Sequence, residues 1–195
     1  MKFSAKAILI PTISLFIIAV VVSAALAGTN LITADKIKAV ELAQEQASCF
    51  TVLNLDKEDS NNAFGEKQTI SVDDTEYTYY VGTSGGKEVG YAFITTGTGY
   101  GGKVKIVTGV DTEGTVTGIH TLDISNETPG LGQNASQDKF KAQFSGLSAA
   151  DLDNVKVSKD GGKIEAMSGA TITSRGVSNA VATALKAYNQ IKGAA

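Results

Sequence analysis

The sequence predicts an α+β protein: one N-terminal transmembrane helix, then one domain in which helices pack on a twisted antiparallel sheet. Three observations predict it. Residues 7–27 are uncharged and almost wholly apolar. Residues 76–123 hold segments of alternating or β-branched character parted by glycine turns. Residues 174–191 repeat apolar side chains at helical spacing.

The apolar run matches the roughly 20 residues that cross a bilayer as one helix. Ala25-Leu26-Ala27 has the small-x-small pattern of a secretory cleavage site. A signal's apolar core normally runs only about 7–15 residues, so a retained anchor is expected. Lys2 and Lys6 precede the run, and the first charge after it is Asp35. The positive-inside rule then places the N-terminus in the cytoplasm and the rest of the chain on the extracytoplasmic face. Pro11 falls in the first turn of the span, where a missing N–H costs little.

Residues 28–33 read as a short polar link. From 33 to 49, Ile37, Val40, Leu42, Ala43 and Ala47 lie near helical spacing, with Thr33 as a cap. The segment "NLDKEDSNNAFGEKQ" reads as a loop, too polar for a core. Four strands are then expected in "EYTYYVG", "EVGYAFITT", "KVKIVTGVD" and "TVTGIHTLD". The turns between them, "TSGGK", "GTGYGG" and "DTEG", are of hairpin type, so the strands form an antiparallel meander. Beyond it, "SQDKFKAQFSGL" reads as a short amphipathic helix and "NVKVSKDGGKIE" as a hairpin or loop. In the last helix Val177, Ala180, Val181, Ala184, Leu185, Tyr188 and Ile191 form one stripe, with a start near Ser174. The expected organisation is a cytoplasmic stub at 1–6, an anchor at 7–27, a linker and first helix at 28–60, and the domain at 61–195.

Composition excludes several functions. A net charge of −3 and a pI near 5.2 give no basic face for nucleic acid. A single Cys and a single His leave no disulfide framework, iron–sulfur ligand set or structural zinc site. Cys49 reads as a small buried hydrophobe. His120 alternates within a strand and has no nucleophile beside it, so it reads as an ordinary strand residue.

Two stretches carry more. "MSGATITSRG", residues 167–176, places Ser168, Gly169, Ala170, Thr171, Thr173 and Ser174 just ahead of the last helix. Capping explains one hydroxyl. It does not explain the bare backbone of Gly169-Ala170, which suits an anion held by free N–H groups and the helix dipole. "NETPGLG", residues 126–132, reads as a type II turn leaving the meander. It leaves Leu131 between two glycines in a loop, a placement that a flat apolar ligand lying on the loop would explain. By contrast, "GTGYGGKV" imitates a phosphate-binding P-loop but fails twice. Val104 stands where the magnesium-binding hydroxyl belongs, and a strand follows instead of a helix. Lys103 reads as an exposed strand residue.

"ETPGLG" followed about forty residues later by "SGATITS", behind one membrane anchor, resembles the FMN-binding family. That family is shared by the G subunit of the Rnf electron-transport complex and the C subunit of the sodium-pumping NADH:quinone reductase. The resemblance covers the whole chain, and its length is nearer the Rnf G subunit. It implies an FMN-binding domain with covalently bound FMN, joined through a phosphoester to Thr171 by a flavin transferase. Glu165 stands where the family's D-x-x-[ST]-G-A-T attachment motif has Asp, which keeps the charge and adds one methylene. The resemblance also implies that Thr128, Pro129, Gly130 and Leu131 contact the isoalloxazine, with Tyr100 and Gly101 as further candidates.

The function so implied is an electron relay between ferredoxin and NAD, coupled to Na+ or H+ movement. Its partners would be the other membrane subunits, the flavin transferase and the lipid bilayer. No residue offers itself as a general acid or hydride-donor site, so the flavin would do the chemistry. Two alternatives stay open. One is the quinone-reductase C subunit; the other is a cell-surface binding domain in which SGAT is only a cap.

Overall fold

The computed structural model describes residues 5–150 and 152–193. Lys2 lies outside the described residues. The chain divides into two units, residues 1–43 and 44–195.

Helix α1 runs unbroken over Ala5–Val52. It passes through residues 28–33, where a polar link is expected from sequence. Thr29 and Thr33 are held inside it: their hydroxyls donate to the carbonyls of Ala25 and Thr29, each at 2.9 Å. Thr33 is therefore mid-helix and caps nothing. Pro11 lies inside the helix, a turn later than the sequence places it. The helix is long and apolar enough to cross a membrane. Its large apolar side chains between Ile8 and Leu26 are exposed on every side, as a lipid-facing segment requires.

The second unit is built on one antiparallel sheet. Its strands are β1 (Asn62–Phe64), β2 (Gln68–Val72), β3 (Thr75–Ser84), β4 (Lys87–Thr98), β5 (Lys103–Asp111) and β6 (Val116–Asp123). Their order is β1-β3-β4-β5-β6, and β2 pairs beside β1 on the same edge of β3. The meander of β3 to β6 is the expected one. The short strands β1 and β2 lie in and just after the segment read as a polar loop.

Both faces of the sheet are covered, which explains why β4 is buried continuously from Gly90 to Thr95. Tyr91 and Phe93 point to one face and join the main core with helix α3 (Thr171–Gly193) through Val177, Val181, Ala184 and Leu185. Ala92 and Ile94 point to the other face and pack with Cys49, Val52 and Leu53 at the end of α1. There the buried carboxylate of Glu45 accepts the Tyr80 hydroxyl at 2.7 Å and the Lys67 ammonium at 2.9 Å.

At one point, Gly97 and Gly176, helix α3 meets β4 with no side chain between them. A Cβ at Gly97 would lie 1.9 Å from the carbonyl oxygen of Gly176, so only two glycines permit this approach. Between β6 and α3 the chain forms a 3-10 turn at Gly132–Ser136, the one-turn helix α2 (Asp138–Lys141) and a second 3-10 turn at Ala142–Phe144. The single amphipathic helix expected here is broken into pieces, though Phe140 and Phe144 still reach the core. The stretch "NVKVSKDGGKIE" is a loop with 3-10 turns at Leu152–Val155 and Ser158–Asp160 and one isolated bridge, Val157 to Ile164.

Candidate functional site

Two turns and a helix end meet at one place. In the first turn, the N–H of Leu131 donates to the Thr128 carbonyl at 3.1 Å, with Pro129 second and Gly130 third at φ 75°. That is the type II pattern read from the sequence. In the other, the N–H of Ala170 donates to the Met167 carbonyl at 3.0 Å, with Gly169 at φ 73°. The Leu131 Cδ2 lies 3.0 Å from where a Gly169 Cβ would stand, so the two loops touch.

Helix α3 begins at Thr171, three residues earlier than the stripe predicts. Ala170 is the half-helical residue before it, and its carbonyl accepts the first helical bond, from the Ser174 N–H at 3.0 Å. The N–H groups of Thr171, Ile172 and Thr173 have no acceptor among the described residues. They are the orphan donors of a helix N-terminus, facing out with the positive end of the dipole.

The three hydroxyls of this turn differ in what they touch. The Ser174 hydroxyl donates to the Ala170 carbonyl at 2.9 Å and accepts the Met167 N–H at 3.0 Å. The Thr173 hydroxyl donates to the carboxylate of Glu127. Thr171 is left with one distant neighbour, the Lys159 ammonium at 3.5 Å. Lys159 is carried on the Ser158–Asp160 turn, and Asp160 binds Arg175 of α3 through two hydrogen bonds of 2.6 and 2.7 Å. This pair straps the turn to the helix, and the Arg175 guanidinium holds the Asp160 carboxyl below its usual range.

These elements enclose a cavity of about 620 Å³. Tyr100, Thr128, Leu131, Gly169, Ala170, Thr171 and Thr173, all named from the sequence, line it. Gly101, Pro129, Gly130 and Ser174 are not among the residues that line it, and Ser168 lines a neighbouring cleft that also holds Glu165. Past residue 42, the large hydrophobic side chains left exposed among the described residues are Tyr100 at 73%, Leu131 at 42% and Ile172 at 49%. All three line this one cavity. Its volume lies in the range of small-molecule sites, with apolar walls and a few placed polar groups.

Comparison with known proteins agrees with this geometry. The FMN-binding domain model matches residues 99–186, and the RnfG N-terminal region model matches residues 1–52. The G subunit of the Na(+)-translocating ferredoxin:NAD(+) oxidoreductase complex of Acetobacterium woodii is 36% identical over 191 residues, covering 91% of this chain and 89% of its own. The chain belongs to the Rnf G-subunit family. The G subunit of the proton-translocating ferredoxin:NAD(+) oxidoreductase complex of Clostridium ljungdahlii is 32% identical, covering 93% of this chain and 90% of its own. The G subunit of the ion-translocating oxidoreductase complex of Shewanella baltica is 35% identical over 188 residues, covering 90% of this chain and 86% of its own. The C subunit of the Na(+)-translocating NADH-quinone reductase from Parabacteroides distasonis, known from a crystal structure, shares the fold. Its TM-score is 0.55 at 19% identity, covering 78% of this chain and 94% of that one.

Four residues of this Rnf-family cavity are absent from the sequence-derived set: Glu127, Gly132, Lys159 and Ile172. Glu127 and Gly132 flank the "TPGL" turn and were within reach of the motif. Lys159 had no such signal, because its place depends on the Asp160–Arg175 strap. His120 lies outside the site, on β6, where burial and the Lys141 charge push its pKa down. Lys103 opens β5, exposed, with a strand after it as expected.

Proposed function

We propose that this chain is the FMN-carrying electron-relay subunit of an Rnf-type ferredoxin:NAD oxidoreductase, with the flavin phosphate esterified to Thr171. The observation that carries the reading is the gathering of Tyr100, Leu131 and Ile172, otherwise unaccountably exposed, around the one α3-turn hydroxyl that is free of a close partner. The cavity fits the cofactor at both ends. Apolar side chains supply a surface for a flat ring, and three unpaired N–H groups with Lys159 supply a surface for a phosphate.

Thr171 would hold the cofactor covalently, and Lys159 and the first-turn amides would neutralise the diester. Leu131 and the "TPGL" turn would shield the ring from water. When bound, the flavin supplies one- and two-electron transfer, coupled in the complex to Na+ or H+ movement; the chain supplies attachment, orientation and electrostatics. Glu165 is exposed beside Ser168, with its backbone pinned by Gln143 at 2.7 Å, so the attachment motif is open to a flavin transferase. The apolar part of α1 would anchor the chain in the bilayer. Lys2 and Lys6 put the N-terminus in the cytoplasm and the domain outside, beside the other membrane subunits.

The test is the intact mass of the full chain made with and without the flavin transferase. An FMN adduct that appears only with the transferase and is lost in Thr171→Ala is the expected result. A wild-type chain that stays colourless and unmodified with an active transferase would overturn the reading.

A further inference from the structure

Two charged side chains line the cavity, and they are unequal. Lys159 is exposed, whereas Glu127 is 3% exposed. Its Oε1 accepts the Gly101 N–H at 2.9 Å, and its Oε2 accepts the Thr173 hydroxyl. No cationic group among the described residues lies within ion-pair distance of it. The backbone is wrapped around this carboxylate. A Cβ at Gly99 would stand 2.3 Å from Oε1, and one at Gly132 would stand 2.3 Å from Oε2. The glycine-rich stretch that imitates a phosphate loop therefore cradles an acid of the chain itself.

A buried acid met only by neutral donors is a poor device for stability. A glutamine of the same shape would bond the same neighbours without the desolvation penalty of a charge. The charge has its own use. It stands where the free amides of Thr171 to Thr173 and the Lys159 ammonium all bias the cavity positive. Left alone, that bias would favour every electron added to a cofactor there. A fixed anion in the cavity wall opposes it, and low dielectric makes the opposition large.

We propose that Glu127 is a positioning residue that ties the Gly99–Gly102 loop to the entrance of α3, and that its buried negative charge lowers the reduction potential of the flavin held in this cavity. The proposal rests on the flavin reading above.

The test uses the full chain with FMN attached, as wild type, Glu127→Gln and Glu127→Asp. Spectroelectrochemical titration should place the Glu127→Gln potential above wild type by at least tenfold in the reduced-to-oxidised ratio, which is about 59 mV for a one-electron couple and about 30 mV for a two-electron couple. Glu127→Asp keeps the charge and shortens the side chain, so its potential should stay near wild type. Its Gly101 amide should exchange hydrogen at least tenfold faster in the chain made without flavin. A Glu127→Gln potential equal to wild type at full flavin content would overturn the charge role. So would an equal rise in Glu127→Asp, which also serves if Glu127→Gln does not fold. Unchanged exchange at Gly101 would overturn the positioning role. A wild-type chain without flavin would bring down the flavin reading itself.

Discussion

Removing the three hydroxyls of the first turn of α3 one at a time separates cofactor attachment from structure. Thr171 is a helical residue whose hydroxyl has only Lys159 at 3.5 Å, so Thr171→Ala removes almost no interaction. Alanine is also the better helix former, and the stability change should stay within about 0.5 kcal/mol. Thr173→Ala leaves one oxygen of the buried Glu127 carboxylate without its donor. Ser174→Ala strips the Met167 N–H of its acceptor. Each of these should cost about 1–3 kcal/mol, the range for a buried polar group left unpaired. For a chain of this size that is roughly 2–4 °C in Tm per kcal/mol. Thermal unfolding of the full chain in detergent, followed by circular dichroism, reads the stabilities, and intact mass reads the flavin. The expected pattern is crossed: Thr171→Ala stays stable without covalent flavin, while Thr173→Ala and Ser174→Ala are weakened and still flavinylated. Covalent flavin retained in Thr171→Ala, or a Thr171→Ala chain less stable than Thr173→Ala, would refute the reasoning.

Gly97→Ala and Gly176→Ala should each destabilise by about 1–3 kcal/mol, because the new methyl meets backbone that has nowhere to go; urea unfolding checks this. Asp160→Asn should slow flavin attachment by loosening the turn that carries Lys159, with Asp160→Glu closer to wild type in a time course of adduct mass. The depressed Asp160 carboxyl gives the strap a sign in pH. Its contribution is present above the ordinary carboxylate range and lost as pH falls through the lowered value, so wild-type attachment should become more like Asp160→Asn only in acid. Burial pushes the Cys49 thiol up to about 12, so iodoacetamide at pH 8 should leave the native chain unlabelled and label it in urea.

Most of the sheet was legible because β3 to β6 alternate or are rich in β-branched and aromatic residues, and glycine turns part them. The strands β1 and β2 were not, since β1 is only three residues long and β2 is short with most of its side chains facing water. The continuity of α1 through Gly28, Thr29 and Asn30 was hidden by local preference, each being a weak helix former. The start of α3 was displaced for a different reason. The hydroxyls of Thr173 and Ser174 invite a cap assignment, but one is drawn sideways to Glu127 and the other back to Ala170 and Met167. Glu127 itself shows the limit of reading along the chain. Its partners lie 26 and 46 residues away, and nothing in "NETPGLG" reveals that its acid is buried.

The bare crossing of Gly97 and Gly176 bears on how the family's sequences are free to drift. Elsewhere α3 rests on side chains such as Val181 and Leu185, and exchanging one of these for another of different girth tilts or shifts a helix slightly. At the crossing there is no upholstery to thicken or thin. Main chain sits on main chain, and the spacing is set by atoms that every amino acid shares. The helix is thus mounted like a door on a pin placed little more than one turn past Thr171. Repacking the far end swings that end and leaves the pinned end where it was. Substitutions can accumulate along most of α3 while its first turn keeps its address on the sheet.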